Sequence, residues 1–305
     1  MRAAPRAPDA QTARPAPAMA QVAAPLAFLL IWSSGFLVGR DASNHADPFW
    51  FLALRFVCVS LLFALAAWVA RVPWPRGARR IALHLLAGAL MSGLYLGPGW
   101  WAMSQGLAAG VMALVGALQP LFTALISVLL LRQRLPARAW AGQVLGFGGV
   151  ALVLWPRLAA SAGTPLAPAV VLVAIGAIVA LTVGSMVQKH PLAAGDLRSV
   201  SCVQNLGAVS VLVLMALVFG EPRWDNSPLL WGYLAYAVLL LSVGGATLLI
   251  WLMRHGEATR TAALLLIVPP LTALQSWAIL GETLVPLQVL GFALTIVGVA
   301  LVRRA

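Results

Sequence analysis

The sequence predicts an all-α integral membrane protein whose ten transmembrane helices form two inverted five-helix repeats. The first observation is composition: 62% of the 305 residues are hydrophobic and 9% are charged, against about 25% charged residues in soluble domains. The second observation is an internal repeat at an offset of about 150 residues. The third is a bias of basic residues toward one side of the predicted membrane.

Ten apolar stretches are long enough to cross a bilayer as helices, which takes roughly 20 mostly apolar residues each. They cover residues 24–39, 48–70, 81–104, 109–131, 137–155, 165–188, 197–219, 228–253, 258–280 and 284–302. A membrane β-barrel would instead require alternating apolar and polar residues, and the stretch 208–218 has Ser210 as its only polar residue. The spans are therefore predicted to be helical.

The chain consists of two related halves. The stretch 101–106 reappears as 251–256, and Pro120 matches Pro270, both at an offset of 150, whereas Gly35 and Gly184 are 149 apart. Five spans per half is an odd number, so the second half enters the bilayer upside down relative to the first. Paired membrane repeats are the architecture of many transporters, which bind their substrate between the halves. We divide the chain into a disordered cytoplasmic tail (1–23), a first repeat (24–155), a linker (156–164) and a second repeat (165–305).

The basic residues predict the orientation of the chain by the positive-inside rule. Of the 20 Lys and Arg residues, Arg40, Arg157 and Arg223 lie on one side and Arg55 lies inside the second span, which leaves 16 on the side of the N-terminus. Both termini are therefore predicted to be cytoplasmic, in a multi-pass protein of the inner cell membrane. The prolines of the tail argue against a transit helix, so we expect the first span to act as an uncleaved anchor, with Met19 as an alternative start.

The composition also limits the expected partners. Cys58 and Cys202 lie inside spans at positions that do not correspond between the halves, and we interpret them as small core residues. Glycine pairs such as Gly142 and Gly146 allow helices to approach closely, either within the chain or at a dimer interface, so a monomer and a homodimer both remain open. We predict contacts with the lipid bilayer and with a small-molecule substrate, and no nucleic acid, cofactor or metal.

Prolines mark the middle of the fourth and ninth spans. Pro120 removes the hydrogen bond to the carbonyl of residue 116, and Pro269 and Pro270 free the carbonyls of residues 265 and 266. Such carbonyls are tolerated at membrane depth where protein or cavity water satisfies them. The prolines therefore predict matched kinks that line a cavity, with kinks that only help packing as the alternative. The Gly-Pro-Gly stretch at 97–99 predicts a further break in the third span.

Polar and aromatic side chains at membrane depth complete the predicted cavity, because such side chains tend to face the interior of a helical bundle. The predicted lining residues are Trp32, Ser33, Ser34, Tyr95, Gln119, Pro120, Thr182, Ser185, Gln204, Asn205, Pro269, Pro270 and Gln275. For Ser33, Ser34 and Thr182 the alternative is a hydrogen bond to a backbone carbonyl one turn back.

Arg55, Glu257 and Glu282 are candidates for gating or charge pairing. Arg55 could extend outward to the membrane surface, pair with Asp47 or Asp41, or contact the substrate directly. No carboxylate lies near the middle of any predicted span, although a proton exchanger usually carries one. Facilitated diffusion or export down a gradient is therefore favoured over proton coupling.

Several stretches together form a recognisable pattern. They are 254–260 (RHGEATR), 269–271 (PPL), 280–283 (LGET) and the last span with Gly291 and Gly298, together with 32–36 (WSSGF) and 54–56 (LRF) in the first half. This pattern resembles the EamA family of the drug/metabolite transporter superfamily, from which the stretch 132–134 (RQR) departs because the family often has a Gly-Glu pair there. The resemblance implies a secondary transporter, commonly an exporter of amino acids or other small metabolites. It also implies a central cavity lined by spans 1, 3, 4, 6, 8 and 9, with spans 5 and 10 at the periphery.

Other functional classes receive little support from the sequence. An intramembrane enzyme would need an HExxH motif, paired acids within the spans or a serine–histidine set, and Ser185 after Gly184 is an isolated match. A non-transporting scaffold or sensor would need a soluble module. We expect a transporter and not an enzyme, working by alternating access, with an intramembrane enzyme or a scaffold as the alternative. The neutral amides, hydroxyls and indoles of the cavity favour small polar or amphipathic substrates such as zwitterionic amino acids.

Overall fold

The structure is a computed structural model that describes residues 18–132, 136–159, 167–245, 247–248, 252, 258–282 and 285–303. In these ranges the chain forms helices joined by short connections, with an isolated antiparallel bridge between Ala46 and Trp224. Seven described helices are long and apolar enough to cross a membrane, and they match the first seven predicted spans. Three shorter apolar helices, Pro228–Gly244, Ile267–Leu280 and Pro286–Val302, lie within the last three predicted spans.

Twelve α-helices carry the architecture of the described residues. They are α1 (Ala18–His45), α2 (Pro48–Val69), α3 (Ala78–Gly88), α4 (Leu94–Ser104), α5 (Ala109–Gly116), α6 (Gln119–Leu131), α7 (Ala137–Ala159), α8 (Pro168–Gln188), α9 (Leu197–Phe219), α10 (Pro228–Tyr236), α11 (Ala258–Leu280) and α12 (Pro286–Arg303). A first π segment (Ala89–Gly93) joins α3 to α4, and a second π segment (Ala237–Gly244) follows α10. A single 3₁₀ turn (Pro191–Ala193) precedes α9.

Local sequence explains where several helices begin. Asp47 precedes Pro48, and its carboxylate accepts hydrogen bonds from the backbone N–H groups of Phe49 and Trp50 at 3.0 Å. An acidic N-cap followed by proline at the first helical position is a strong helix start, because the cap satisfies free donors and proline needs none. Ser227 before α10 has the same role, since its hydroxyl accepts from the N–H of Leu230.

Several features of the helices differ from the predictions, and α1 also continues to His45, beyond the predicted end at residue 39. Helix α1 already begins at Ala18, so residues 18–23 are helical and not part of a tail, while residues 1–17 lie outside the described range. Helix α7 continues to Ala159, into the predicted linker. The Gly-Pro-Gly stretch at 97–99 does not break its helix, because α4 runs through Pro98. Its glycines instead allow close packing, since a Cβ on Gly97 would lie 2.9 Å from the Leu212 side chain.

Helices α7 and α12 pack along each other through glycines. A Cβ on Gly142 would lie 2.6 Å from the carbonyl oxygen of Gly298, and one on Gly298 would lie 2.3 Å from the backbone nitrogen of Gly146. Small residues that bring two backbones together are typical of membrane helix pairs. The glycine pair at 142 and 146 therefore contacts α12 of the same chain, which favours packing within the chain over the alternative of a dimer interface. The number of copies in the assembly stays a prediction.

The two halves of the chain interlock around one apolar core. Helix α2 of the first half lies along α9 of the second half, and α3 and the first π segment pack against α8 and α9. In the same way α10 packs against α1, and the second π segment packs against α1 and α2. Core residues such as Phe51, Trp100 and Leu212 fill the space between these helices. The free cysteines occupy this packed region too, Cys202 buried on α9 and Cys58 half-buried on α2.

Candidate functional site

The two π segments occupy equivalent positions in the two halves. Residues 89–93 shifted by the repeat offset of 149 fall within Ala237–Gly244. Each π segment packs against the first helix of the other half: a Cβ on Gly35 of α1 would lie 3.3 Å from Leu241, and one on Gly184 of α8 would lie 2.6 Å from Met91. A π-helix turn widens the helix and is frequent at functional sites. The paired π segments therefore mark where the halves meet.

Sequence reasoning missed the π segments, although the chain carries a signal for them. The repeat offset rises from 149 at Gly35 to 150 at Trp101, so the second half contains one extra residue in the interval that includes the π segments. A π turn accommodates an additional residue without ending the helix, because its hydrogen bonds span five residues. The longer π segment, eight residues against five, is in the half with the extra residue.

Arg55 of α2 is held against the second π segment. Its Nε donates a hydrogen bond to the Ser242 hydroxyl at 3.1 Å, and that hydroxyl donates to the Ala237 carbonyl at 3.0 Å. The guanidinium carbon also lies 5.2 Å from the ring centroid of Phe56 and 6.0 Å from that of Trp100. With 7% exposure, Arg55 is enclosed by protein and does not extend to the membrane surface.

The predicted ion pair of Arg55 with Asp47 or Asp41 is wrong. The Asp47 carboxylate caps α2 and accepts a further hydrogen bond from the backbone N–H of Glu221 at 3.1 Å. The Asp41 carboxylate accepts from the Tyr233 hydroxyl. Both carboxylates lie near the ends of helices and accept hydrogen bonds from backbone N–H groups or a hydroxyl, so neither pairs with Arg55.

The predicted serine and threonine residues divide into two groups. The hydroxyls of Ser33 and Thr182 donate to the carbonyls of residues 29 and 178 at 2.7 Å, one turn back in their own helices, and Ser185 bonds the Thr182 carbonyl in the same way. Ser34 also contacts its own helix, but its oxygen lies 2.6 Å from the Tyr236 hydroxyl in addition. Ser34 thus connects α1 to the residue that immediately precedes the second π segment.

Two of the four predicted amides each have one buried atom without a hydrogen-bond partner among the described residues. Nε2 of Gln204 and Oε1 of Gln275 are buried without a hydrogen-bond partner, and the half-buried Gln119 lies at the start of α6. Asn205 is an exception, because its Nδ2 donates to the Ser201 carbonyl at 2.8 Å. A buried polar atom without a partner costs about 1–3 kcal/mol. Such atoms are candidates for contact with a ligand.

The fourth span breaks where Pro120 predicts it, but as an interruption between two helices and not as a kink within one helix. The helix of the fourth span is interrupted at residues 117–118, so Pro120 is the second residue of α6 and not the middle of a helix. Proline is tolerated in a first turn because its missing donor has no role there. In the second half α11 is continuous through buried Pro269 and exposed Pro270. The two proline positions therefore correspond in sequence and differ in structure.

Aromatic residues surround the interruption between α5 and α6. A Cβ on Gly116 would lie 3.5 Å from the Tyr95 hydroxyl and 3.9 Å from the ring of Phe36. Trp32 is less enclosed: it is 37% exposed and its ring lies 5.3 Å from that of Phe28. The helix interruption, Tyr95 and Phe36 thus lie together, whereas Trp32 contacts Phe28 and lies near Gly245 after the second π segment.

Glu282 connects the second half to the first at one end of the bundle. Its carboxylate accepts hydrogen bonds from the Ser276 hydroxyl at 2.6 Å and from the N–H of Ala109, the first residue of α5, at 3.2 Å. Its Oε1 also lies 3.8 Å from Nε of Arg40. Glu257, the other acid predicted for gating, lies outside the described residues.

A second cross-half contact lies at the same end of α1. Nδ1 of His45 is 2.5 Å from Oδ2 of Asp225 in the connection before α10. The N–H of Ser227 and the His45 side chain lower the pKa of the Asp225 carboxyl below its ordinary value. Among the described residues no cluster of His, Cys, Asp and Glu could hold a metal ion.

A bundle of long apolar helices, built from two matching halves that interlock at paired irregular segments, defines a multi-pass membrane protein of the transporter class. The family model of the EamA-like transporter family matches residues 21–155 and again residues 168–304. The chain belongs to the EamA-like transporter family, and the resemblance inferred from the sequence motifs is confirmed.

The relatives carry transporter names. The chain is 30% identical to a protein of Streptantibioticus cattleyicolor named "Probable terminal-alkyne amino-acid exporter", over 90% of this chain and 91% of that protein. It is 26% identical to a protein of Salmonella typhimurium named "Probable amino-acid metabolite efflux pump", again over 90% and 91%. A protein of Synechocystis sp. named as an uncharacterized transporter is 25% identical over 92% of this chain and 88% of its own length.

A solved crystal structure has the same fold. It aligns with a TM-score of 0.62 at 22% sequence identity and covers 94% of this chain and 98% of the other.

Proposed function

We propose that the protein is a secondary transporter that exports amino acids or related small polar or amphipathic compounds across the inner cell membrane. Two relatives at 26% and 30% identity have names that refer to amino-acid export or efflux. The family match over both halves supports the class, and the buried amides of Gln204 and Gln275 supply neutral hydrogen-bonding groups of the kind a small polar substrate requires.

The proposed architecture is ten transmembrane helices in two inverted repeats, with both termini in the cytoplasm. The odd number of predicted spans in each half requires inversion, and the bias of basic residues supports the orientation. The reciprocal packing of the π segments also supports it, because each one contacts the first two helices of the opposite half. Two surfaces related in this way are typical of inverted repeats with a substrate site between them.

Alternating access would take place at the junction of the halves. The observation that carries this proposal is the pair of π segments, one from each half, with the polar groups of Ser34, Arg55 and Tyr236 beside the second. Glu282 and Arg40 form a contact between the halves at the end of the bundle predicted to face outward, and we propose that it opens when that side opens. Transport without proton coupling remains our preferred mechanism.

The test is transport by the purified protein in liposomes, with radiolabelled amino acids offered one at a time. We expect uptake of at least one amino acid without an imposed pH gradient, and a loss of about tenfold in kcat/KM for Gln275→Ala, whose amide is buried and unpaired. Gln119→Ala tests in the same way whether the substrate contacts the start of α6. Leu217→Ala, on an exposed face of α9, is the control.

Two results would contradict the proposal. Normal kcat/KM in both glutamine variants would place the site elsewhere, and a folded wild-type protein that moves no amino acid would remove the proposed substrate class. A strict requirement for a pH gradient would overturn only the uncoupled mechanism.

A further inference from the structure

Arg55 carries a buried charge that no acidic side chain in the described ranges neutralises. Asp47 and Arg55 are the two buried residues of fixed charge there, and the Asp47 carboxylate is engaged by backbone donors. A cation within a membrane span costs roughly 2.5–3.5 kcal/mol on insertion scales. Arginine cannot lose its charge at neutral pH, so the charge has to be balanced by another partner.

The guanidinium group of Arg55 is held in place, but only one of its three nitrogens hydrogen-bonds a residue that the structure describes. Nε bonds Ser242, and the terminal nitrogens make no hydrogen bond to a residue that the structure describes. Trp100 and Phe56 lie beside the guanidinium carbon, and both are buried, with 3% and 4% exposure. A guanidinium fixed in this way presents two parallel N–H donors, the arrangement that binds a carboxylate through two hydrogen bonds.

We propose that Arg55 binds the carboxylate group of the transported compound, so that the substrates of this protein are carboxylates, with zwitterionic amino acids among them. The inference rests on the proposed function and adds the substrate class to it. Ser242 is a positioning residue: its hydroxyl is oriented by the Ala237 carbonyl in the second π segment and directs Nε of Arg55. The equivalent position of the other half has Gln204, which is neutral, so the charge lies on one side of the junction.

The experiment compares each amino acid with its carboxamide, in which a neutral amide group replaces the negatively charged carboxylate. Phenylalanine and phenylalaninamide are offered to liposomes that contain wild-type protein or Arg55→Gln, and binding to the detergent-solubilised protein is measured in parallel by calorimetry. We expect the wild type to prefer the acid, and Arg55→Gln to lower kcat/KM for the acid by about 10- to 100-fold while amide flux changes little, as loss of charged hydrogen bonds predicts.

Matched variants separate binding from folding. Arg76→Gln removes an exposed arginine and should change the transport of neither substrate. Ser242→Ala should raise KM for the acid with little change in kcat, and Ser242→Thr should restore it. Arg55→Lys keeps the charge without the paired donors and should keep part of the preference for the acid.

The outcomes distinguish the inference from the function on which it rests. If Arg55→Gln folds and retains the wild-type preference for the acid, or if the wild type moves acid and amide equally well, the carboxylate site is refuted and the transporter stands. If the wild type neither binds nor moves either compound while it exports unrelated metabolites without a carboxylate, the substrate class is refuted. If it moves nothing, the proposed function fails and the inference falls with it.

Discussion

The two π segments share one origin and differ in how closely the helices around them approach. At the first π segment Gly88 faces the α9 backbone, where a Cβ would lie 1.7 Å from the Gln204 carbonyl oxygen, and Gly207 faces the α3 backbone, where a Cβ would lie 2.0 Å from the Leu85 oxygen. At the offset of 149, the second half has Ala237 in place of Gly88, and Cys58 is the counterpart of Gly207. Side chains at these positions keep the backbones further apart.

The extra space at the second π segment is occupied by polar side chains. Ser242 and Tyr236 of the second half meet Arg55 and Ser34 of the first half there. At the offset of 149, which holds for the first two spans, Gln204 replaces Arg55 and Val183 replaces Ser34, and neither can form the same contacts. The duplication therefore provides two equivalent junctions, and substitution has made one a tight backbone contact and the other a polar site.

The largest expected effect follows from adding a methyl group beside the first π segment, where the helix backbones are in close contact. Gly88→Ala would place a Cβ in conflict with the backbone of α9, which a side-chain rotation cannot relieve. Overpacking in a core costs typically about 1–3 kcal/mol. Because the conflict here is with backbone atoms, we expect the upper end of that range, a loss of about 3 kcal/mol in the free energy of unfolding, with a low yield of monodisperse protein in detergent.

Gly245→Ala is the matched control at the second junction. A Cβ there would make an ordinary contact 3.7 Å from the Trp32 ring, so its melting temperature should be close to that of the wild type. Equal melting temperatures for both variants would contradict the proposed difference in helix packing at the two π segments.

The sequence predicted the helices and the repeat better than the polar contacts between the two halves. Apolar spans, the repeat and the family motifs identified the helices and the class of protein, because each depends on residues close in sequence. The π segments required one extra residue to be located within a helix, which local propensity does not do. The partner of Arg55 lies 187 residues away in the other half, and its prediction from nearby acids was wrong for that reason.

The predicted polar residues show the same limit. Ser33 and Thr182 were matched by the repeat, and both bond their own helices. Tyr236 and Ser242 were missed because their apolar surroundings, Leu239 to Leu241, resemble any buried span. The repeat identifies equivalent positions, but it cannot tell which of the two has become polar.

The interrupted fourth span offers a second difference between the halves, with an intermediate expected effect. Nε2 of Gln143 on α7 donates to the Leu121 carbonyl at 3.0 Å, one residue after Pro120. The equivalent residue on α12 is Phe292, beside a helix that is continuous and needs no such donor.

Gln143→Met removes this donor at nearly constant volume. It should reduce the free energy of unfolding by about 0.5–1.5 kcal/mol, the net contribution of one hydrogen bond, because the Leu121 carbonyl keeps its partner within α6. The melting temperature in detergent measures the change, with Gln105→Met at an exposed position as the control. If Gln143→Met melts as the wild type does, the interruption does not depend on α7.

The smallest expected effect concerns the charged contact between the halves. At the offset of 150 that applies here, Glu282 corresponds to Arg132 in the first half, and Glu282→Gln removes the negative charge at nearly constant shape. The variant retains an acceptor oxygen for the N–H of Ala109 but loses the attraction to Arg40, whose side chain is 29% exposed. Partly exposed ion pairs contribute about 0.2–1 kcal/mol.

A double-mutant cycle with Arg40→Gln isolates that attraction. The coupling free energy between the two residues, measured from melting in low salt, should fall toward zero in about 1 M salt, where the Debye length is about 3 Å. A coupling that persists unchanged in high salt would mean that hydrogen bonding to Ser276 and Ala109, and not charge, joins the halves at this end of the bundle.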